Sequence, residues 1–192
     1  MLHDHQENRK YLTTLERKRF IAAALRHPPS VATFCLTLVY SGGRSSEVLM
    51  LRAGNIDPAA GLIVFESLKK RRKGVFRQVP VPKQLLDRLC AVHLLDQVIS
   101  DQRLWPWGRT TAWKHVKQVM REAGVLPSCT SPKGLRHAFG VMGISEAGVP
   151  LNMMQKWLGH SRIETTAIYA NAIGREERAI ARRMWRSASD LG

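Results

Sequence analysis

Apolar residues recur at helical spacing along most of the chain. Between the Pro28-Pro29 pair and the Gly42-Gly43 pair they repeat at i, i+3 and i+4, which predicts one buried helix face. That face comprises Val31, Phe34, Cys35, Leu38 and Val39. A helix is also predicted over residues 14–26, with an inner face made of Leu15, Phe20, Ile21 and Leu25. A short helix after Gly43 is expected to carry Glu47, Val48, Leu49 and Leu51.

The spacing changes from helical to alternating after Asp57 and Pro58. Residues 62–65 form a short apolar run, and residues 75–81 alternate, with Val75, Arg77, Val79 and Val81 on one side. A turn rich in charge separates the two runs, which is typical of a β-hairpin. We therefore predict a mainly α protein with a small antiparallel β-hairpin or three-stranded sheet, an α+β fold.

Prolines and glycines divide the rest of the chain into helices. Two are predicted over residues 82–100 and 110–123. Ser131 and Pro132 have the pattern of an N-cap and a first helical residue, and the helix that they begin is expected to stop at Gly148. The next helix is predicted between Pro150 and Gly159, with Leu151, Met154 and Leu158 facing inward. Ser161 and Glu164 have capping-box spacing, which predicts a short helix carrying Tyr169.

These elements predict one domain with short appendages. Residues 1–10 are polar and are expected to be loose, residues 11–173 form the main domain, and residues 174–192 contain a basic amphipathic helix over residues 175–187. The apolar side of this last segment, with Ile173, Ile180 and Met184, is expected to pack within the chain or to dock on a neighbouring subunit.

Composition narrows the classes of partner and the location. The chain has 192 residues, with 30 Lys and Arg against 15 Asp and Glu, a formal net charge of +15 that favours a polyanionic partner. Three scattered cysteines, Cys35, Cys90 and Cys129, form no C-x-x-C pair, so neither a disulfide framework nor a cysteine zinc site is expected. Because the chain begins with no signal peptide and has no apolar run long enough to span a bilayer, we expect a soluble cytoplasmic protein.

Several polar residues stand at the predicted helix junctions, outside the apolar faces. They are Arg44, Lys133, Arg136, His160 and Tyr169. Two arginines that converge on one point suit a phosphate, because the planar guanidinium binds its oxygens bidentately and keeps its charge. A tyrosine hydroxyl beside them could donate a hydrogen bond or act as a nucleophile. Gly140, four residues after Arg136, leaves that helix face open to close approach.

Four segments resemble, in order and spacing, the tyrosine recombinases of the phage-integrase and Xer-like group. The segments are Gly42-Gly43-Arg44-Ser45-Ser46-Glu47, Leu135-Arg136-His137, Leu158-Gly159-His160-Ser161 and Thr165-Thr166-Ala167-Ile168-Tyr169. The resemblance implies the catalytic-domain fold of that family and cleavage of DNA through a 3′-phosphotyrosyl link. The freed 5′-hydroxyl would later be rejoined, in integration, excision, inversion or resolution. Neither a metal nor a nucleotide cofactor is implied, because the phosphotyrosyl link conserves the bond energy.

The resemblance also implies a role for each matched residue. Arg44 and Arg136 would hold the scissile phosphate and stabilise the pentacoordinate transition state. Tyr169 would be the nucleophile, and His160 would hydrogen-bond the phosphate or the leaving group. His137, which follows Arg136, is expected to support packing rather than catalysis.

Lysines raise two questions about this resemblance. The family usually has a histidine three residues before its second arginine, where this chain has Lys133, a poorer proton acceptor near neutral pH. A lysine of the hairpin turn would protonate the departing 5′-oxygen, and Lys69 is preferred over Lys70 and Lys73. The basic turn is also expected to contact the DNA backbone. These backbone contacts are assigned to Lys70, Arg71, Arg72, Lys73 and Arg77.

Family members usually carry a separate helical DNA-binding domain before the catalytic one, and only about 40 residues precede Arg44 here. The chain therefore resembles a catalytic domain alone, as in short recombinases of the fimbrial-invertase type, or a fragment of a longer enzyme. The expected partners are double-stranded DNA, further copies in a tetramer on that DNA, and accessory DNA-binding proteins, with no membrane. Two alternatives remain, an inactive recombinase-like accessory protein and a helix-turn-helix regulator formed by residues 150–170.

Overall fold

The computed structural model describes residues 2–3, 5–66, 74–170 and 182. Helices dominate, and a small antiparallel sheet follows the third helix, which confirms the predicted fold class. The helices are α1 (Thr14–Ala24), α2 (Pro29–Ser41), α3 (Ser45–Leu49), α4 (Lys83–His93), α5 (Arg109–Glu122), α6 (Pro132–Val141), α7 (Leu151–Leu158) and α8 (Glu164–Ala167). The strands are β1 (Ile56–Asp57), β2 (Leu62–Glu66) and β3 (Phe76–Pro80). No helix in the described ranges could cross a bilayer.

Helix α2 lies at the centre of the fold, as its apolar pattern predicts. Phe34 and Cys35 are fully enclosed, and helices α1, α4 and α6 pack around α2. Its two buried threonines remain compatible with the helix because each hydroxyl donates to a carbonyl one turn earlier, for example Thr37 to Thr33 at 2.8 Å. A helix enclosed on every side has a fixed C-terminal end, and the candidate site begins there.

The sheet has the order β1-β2-β3, with both pairs antiparallel. Ile63 lies opposite Val79, and Phe65 lies opposite Arg77, so these four residues share the face that packs on the helices. The turn between β2 and β3 includes residues 67–73, which lie outside the described residues. The predictions for Lys69, Lys70, Arg71, Arg72 and Lys73 therefore stay predictions.

The inner face of α1 differs from the predicted one. Leu15 and Leu25 are 63 % and 44 % exposed, whereas Phe20, Ala23 and Ala24 are buried. The prediction for the two leucines was wrong because it assigned the largest apolar residues to the core. Small alanines allow α1 to approach its neighbours closely instead. Glu16 is also on the buried side, where its carboxylate binds the guanidinium of Arg9.

Three helix ends also differ from prediction. Helix α4 ends at His93 rather than near residue 100, because Leu94 adopts a left-handed conformation with φ 50°. Helix α6 continues into a π-helical stretch, Met142–Glu146, before the chain reaches Gly148. Helix α8 has no side-chain cap at Ile163, so the capping box predicted at Ser161 does not form.

The described part of the N-terminus is tied to the fold. Leu2 is 7 % exposed, His3 forms an isolated β-bridge with Arg9, and the Lys10 amide donates to the Leu2 carbonyl at 2.8 Å. At the other end, the helix predicted over residues 175–187 falls on residues 171–181 and 183–192, which lie outside the description.

Candidate active site

Arg44 lies at the junction where α2 ends and α3 begins. Gly42 closes α2 with φ 61°, and a Cβ added there would come 2.5 Å from Cδ1 of Phe139, so only glycine fits. Arg44 then caps α3 in an extended conformation, and its Nη1 donates to Oε1 of Glu47 at 2.7 Å. Its side chain is 24 % exposed, which leaves part of this cation accessible.

Arg136 joins the ends of two helices. Its Nη1 donates to the carbonyl of Gly42 at 2.7 Å, and its Nη2 donates to the carbonyl of Leu158 at 2.6 Å. These carbonyls lie at the C-termini of α2 and α7, where the backbone carries partial negative charge and lacks helical partners. Burial, reinforced by Arg44, lowers the pKa of Arg136 to about 10, so the guanidinium is still charged at neutral pH.

Glu47 is the carboxylate that holds the arginines of this region in place. It is 2 % exposed, and its Oε2 accepts from the Arg44 amide at 2.9 Å and from Nη2 of Arg77 at 2.7 Å. Burial alone would raise the pKa of Glu47, but Arg77 and Arg44 outweigh it and keep the pKa below its usual value. One carboxylate therefore serves two guanidinium groups, and Arg136 adds a third cation close by.

Arg77 occupies a different environment from the one predicted for it. Its Nε donates to the Trp157 carbonyl at 2.8 Å, and its side chain is only 6 % exposed. Gly159 leaves room for it, since a Cβ there would lie 3.0 Å from Cδ of Arg77. This geometry favours a structural role for Arg77 over the direct contact with the DNA backbone that the sequence predicts.

Tyr169 is buried against α6. Its side chain is 1 % exposed, and its ring lies over Gly140, where an added Cβ would come 2.6 Å from Cδ2. The open helix face predicted at Gly140 is therefore filled by this ring. The Tyr169 hydroxyl lies 3.0 Å from Nδ1 of His137. Burial raises the pKa of Tyr169, and the nearby charges of Arg136 and Arg44 oppose that rise.

His160 lies with its ring nearly parallel to that of Tyr169. It follows Gly159, which caps α7 with φ 67°, and its ring is 20° from parallel to that of Tyr169, with centroids 6.3 Å apart. Nδ1 of His160 lies 2.9 Å from the hydroxyl of Thr166, a fully buried residue with no other side-chain partner among the described residues. If Nδ1 donated, the buried hydroxyl hydrogen of Thr166 would have no acceptor. The hydroxyl therefore donates to Nδ1, and the proton of His160 is on Nε2.

The structure thus gathers four of the predicted residues, Arg44, Arg136, His160 and Tyr169, around the C-terminal ends of α2 and α7. Lys133 lies in the first turn of α6, where its side chain is exposed to solvent. No group of three or more His, Cys, Asp or Glu in the described ranges could hold a metal ion.

Sequence reasoning gave no role in the site to Glu47, Thr166 or the imidazole of His137. Glu47 carries a usable signal, because it lies three residues after the helix-capping Arg44, the spacing of a capping box. The signal for the other two is weaker. Thr166 precedes Tyr169 by three residues and His137 follows Arg136 directly, which places them near the site without indicating their partners.

The chain is similar in sequence to known proteins. The model of the phage integrase family matches residues 10–174. The tyrosine recombinase XerA of Thermococcus kodakarensis is 32 % identical over 171 residues, which cover 83 % of this chain and 57 % of the relative. The tyrosine recombinase XerD of Chlorobaculum tepidum is 32 % identical over 175 residues, 83 % of this chain and 56 % of that protein. The chain therefore spans a little over half the length of these relatives.

Solved structures show the same fold. A crystal structure of XerA recombinase superposes with a TM-score of 0.75 at 23 % identity, over 95 % of this chain and 66 % of that one. The catalytic domain of bacteriophage HP1 integrase superposes with a TM-score of 0.64 at 23 % identity, over 89 % of this chain and 93 % of that one. The fold is therefore that of a tyrosine recombinase catalytic domain. Together with the family-model match, this shows that the chain belongs to the phage integrase family.

The contact between Gly140 and Tyr169 predicts a sensitive position. Gly140→Ala should lower the free energy of unfolding by about 1–3 kcal/mol, because the new methyl group occupies the space of the Tyr169 ring. Urea unfolding would measure the change. The unmodified chain is the reference for the comparison. Equal stability of the variant and the unmodified chain would contradict the contact.

The two buried histidines predict a dependence of stability on pH. Burial lowers the pKa of each imidazole from the usual 6.5 to about 4. Lys133 adds to this effect at His137, and Arg136 adds to it at His160. Between these values the unfolded chain binds more protons than the folded chain, so the free energy of unfolding should fall as the pH drops from 6.5 to 4. Urea unfolding at several pH values would test this, and His160→Gln should make the slope shallower. A flat profile in this interval would contradict the prediction.

Proposed function

We propose that this chain is the catalytic domain of a site-specific DNA recombinase that cuts and rejoins DNA through a 3′-phosphotyrosyl intermediate. The observation that carries the proposal is the grouping of two arginines and a histidine around one tyrosine, in a chain that belongs to the phage integrase family. Integration, excision, inversion and resolution all use this chemistry.

Binding of the scissile phosphate is assigned to Arg44 and Arg136. The charges support this role, since one carboxylate, Glu47, stands among three guanidinium groups and leaves an excess of positive charge. A phosphodiester supplies the missing negative charge and gains more as the pentacoordinate transition state forms. Arg136 is held by two backbone carbonyls, so it is already oriented before DNA arrives.

Tyr169 is assigned as the nucleophile, and its hydroxyl has to become accessible to the phosphate before it reacts. In-line attack requires contact between its oxygen and phosphorus, and Tyr169 is only 1 % exposed. Its hydroxyl is bound to His137 and its ring faces that of His160, so the packing on the His160 side has to open while the bond to His137 is kept. Burial in this form keeps the unbound enzyme from attacking a phosphate at random.

His160 is assigned as a hydrogen-bond donor to the phosphate or the leaving group. The contact with Thr166 supports this, because it occupies Nδ1 and leaves the N–H on Nε2. Lys69 is assigned as the general acid for the 5′-oxygen, with Lys70 and Lys73 as the alternatives. Lys133 is assigned a contact to a phosphate oxygen. The backbone contacts of the turn remain with Lys70, Arg71, Arg72, Lys73 and, less favourably, Arg77.

The proposed partners are double-stranded DNA, further copies of the chain in a tetramer, and accessory DNA-binding proteins. The proposed location is the cytoplasm. Two structural neighbours support the first of these. XerH recombinase, with a TM-score of 0.74 at 17 % identity, was solved bound to its difH substrate. The Tn1549 transposon integrase, with a TM-score of 0.68 at 17 % identity, was solved in complex with transposon right-end DNA.

An accessory protein that binds DNA without cutting it is the second candidate. The observation that favours it is Lys133, an exposed lysine where the family usually has a histidine. The two candidates differ in a single measurable property, the covalent link to DNA.

Incubation with a nicked suicide substrate should yield a protein–DNA adduct that resists denaturant. Tyr169→Phe should abolish the adduct and change the affinity for the same DNA less than about threefold, because the ring stays and only the hydroxyl is lost. Gel electrophoresis after denaturation and a binding titration measure the two quantities. Binding by the unmodified chain without any adduct would support the accessory protein instead.

The C-terminal segment provides a test of assembly. A cavity of about 370 Å³ lined by Phe139, Met142, Met154 and Trp157, among others, is apolar enough to receive the Ile180 and Met184 side of residues 175–192, from the same chain or from a neighbour. If the segment in this cavity comes from a neighbouring subunit, deletion of residues 175–192 should reduce synapsis of two DNA sites and slow cleavage. Unchanged synapsis and cleavage would exclude docking between subunits.

A further inference from the structure

His137 makes the hydrogen bond to the proposed nucleophile. It lies on α6 directly after Arg136, it is 7 % exposed, and its Nδ1 is 3.0 Å from Oη of Tyr169. The two ring centroids are 5.7 Å apart, with the planes inclined by 58°. Sequence reasoning gave His137 only a packing role, yet its nitrogen is in hydrogen-bond contact with the reacting oxygen.

Relative acidity decides which group donates. Nε2 of His137 is buried without a hydrogen-bond partner, and the Tyr169 hydroxyl has His137 as its side-chain partner within the described ranges. Either direction of the bond leaves one donor and one acceptor of this pair unused. A phenol O–H is more acidic than the N–H of a neutral imidazole, and an imidazole nitrogen is more basic than a phenol oxygen, so the phenol is the donor and Nδ1 the acceptor.

The charges around His137 keep that acceptor available. The groups that face it are Lys133 and Arg136 on α6, Lys10 from the N-terminal segment, and the side chains of Tyr169 and His160. Burial and then Lys133 bring the pKa of His137 to about 4, so the imidazole is neutral at pH 7. Burial also keeps the pKa of Tyr169 above its usual value, so the proton stays on the phenol until a phosphate enters.

We infer that His137 accepts the phenol proton of Tyr169 as the tyrosine becomes the nucleophile. The Oη–H bond breaks and an Nδ1–H bond forms, while Oη bonds to phosphorus and the bond from phosphorus to the 5′-oxygen breaks. That oxygen takes its proton from the general acid, and His137 returns its own proton to Tyr169 when the strand is rejoined. The incoming phosphate brings negative charge close to His137 and so stabilises the imidazolium that this step creates.

This role rests on the proposed function and fills the position that the family resemblance leaves to Lys133. A protonated lysine has no lone pair with which to accept a proton, and Lys133 lies exposed in the first turn of α6. His137 is neutral and already touches the hydroxyl. Proton transfer to a positioned side chain typically accelerates a reaction by about 10²–10⁴-fold.

The matched variants are His137→Asn and Lys133→Met, compared with the unmodified chain. Asparagine places an amide near the position of Nδ1, so it can keep the hydrogen bond to Tyr169 but cannot take up the proton. The measurement is the single-turnover rate of adduct formation on saturating suicide substrate, at several values between about pH 6 and pH 9. We expect His137→Asn to slow the reaction at least about 100-fold near neutral pH. Its rate should rise about tenfold per pH unit, with unchanged DNA affinity.

Lys133→Met removes a contact that is assigned to a phosphate oxygen, so it should slow the reaction but leave the pH profile as it is. His137→Gly, which opens a cavity of imidazole size, should regain rate when imidazole is added to the solution. A His137→Asn variant with the rate and pH profile of the unmodified chain would overturn the inference. A faster reaction of His137→Phe would also overturn it, because it would show that His137 only holds Tyr169 in its buried position. Absence of an adduct from the unmodified chain would instead contradict the proposed function itself.

Discussion

The guanidinium of Arg136 fixes the geometry on which the site depends. It is buried between the carbonyl ends of α2 and α7 and donates to one carbonyl of each. Helix ends of this kind have backbone acceptors without partners inside the helix, so a cation placed there satisfies them and stabilises both ends at once. The residues that follow those ends are Arg44 and His160. Their placement therefore depends on one side chain distant in sequence from both.

The same region shows why a site of this type is incomplete without its ligand. Three guanidinium groups are gathered around one carboxylate, and two imidazoles nearby are held neutral. Removing charge from water costs free energy that one carboxylate can offset only in part. Glu47 accepts from Nη2 of Arg77, whose Nη1 is buried without a partner among the described residues, and Arg44 stays partly exposed. The remaining positive charge points to an anion as the natural ligand of this pocket.

Patterns in the sequence predicted those elements whose structure depends on residues nearby in the chain. The buried helix α2, the β2–β3 hairpin and the glycine end of α7 follow from apolar spacing and from residues that tolerate a left-handed conformation. The inner face of α1 did not follow, because the core there is formed by alanines whose burial depends on how close a neighbouring helix comes.

The site was predictable to a similar degree. The resemblance of four short segments to a known family indicated that Arg44, Arg136, His160 and Tyr169 converge. The hydrogen-bond partners were not predictable, because Glu47 of α3 meets Arg77 of β3, and Tyr169 packs on Gly140, only after tertiary folding. The burial of Tyr169 was missed for the same reason. A residue's chemical type indicates what it can do, and only the packing around it determines whether it is accessible.

The bonds of Arg77 have a mechanical consequence. This side chain belongs to β3, yet it is bonded to the Trp157 carbonyl in α7 and to the carboxylate that holds Arg44. A displacement of this strand would therefore act on both helices, because the ion pair with Glu47 cannot break without leaving a buried charge unpaired. Arg77 thus couples the position of β3 to that of Arg44, one of the residues proposed to bind the phosphate.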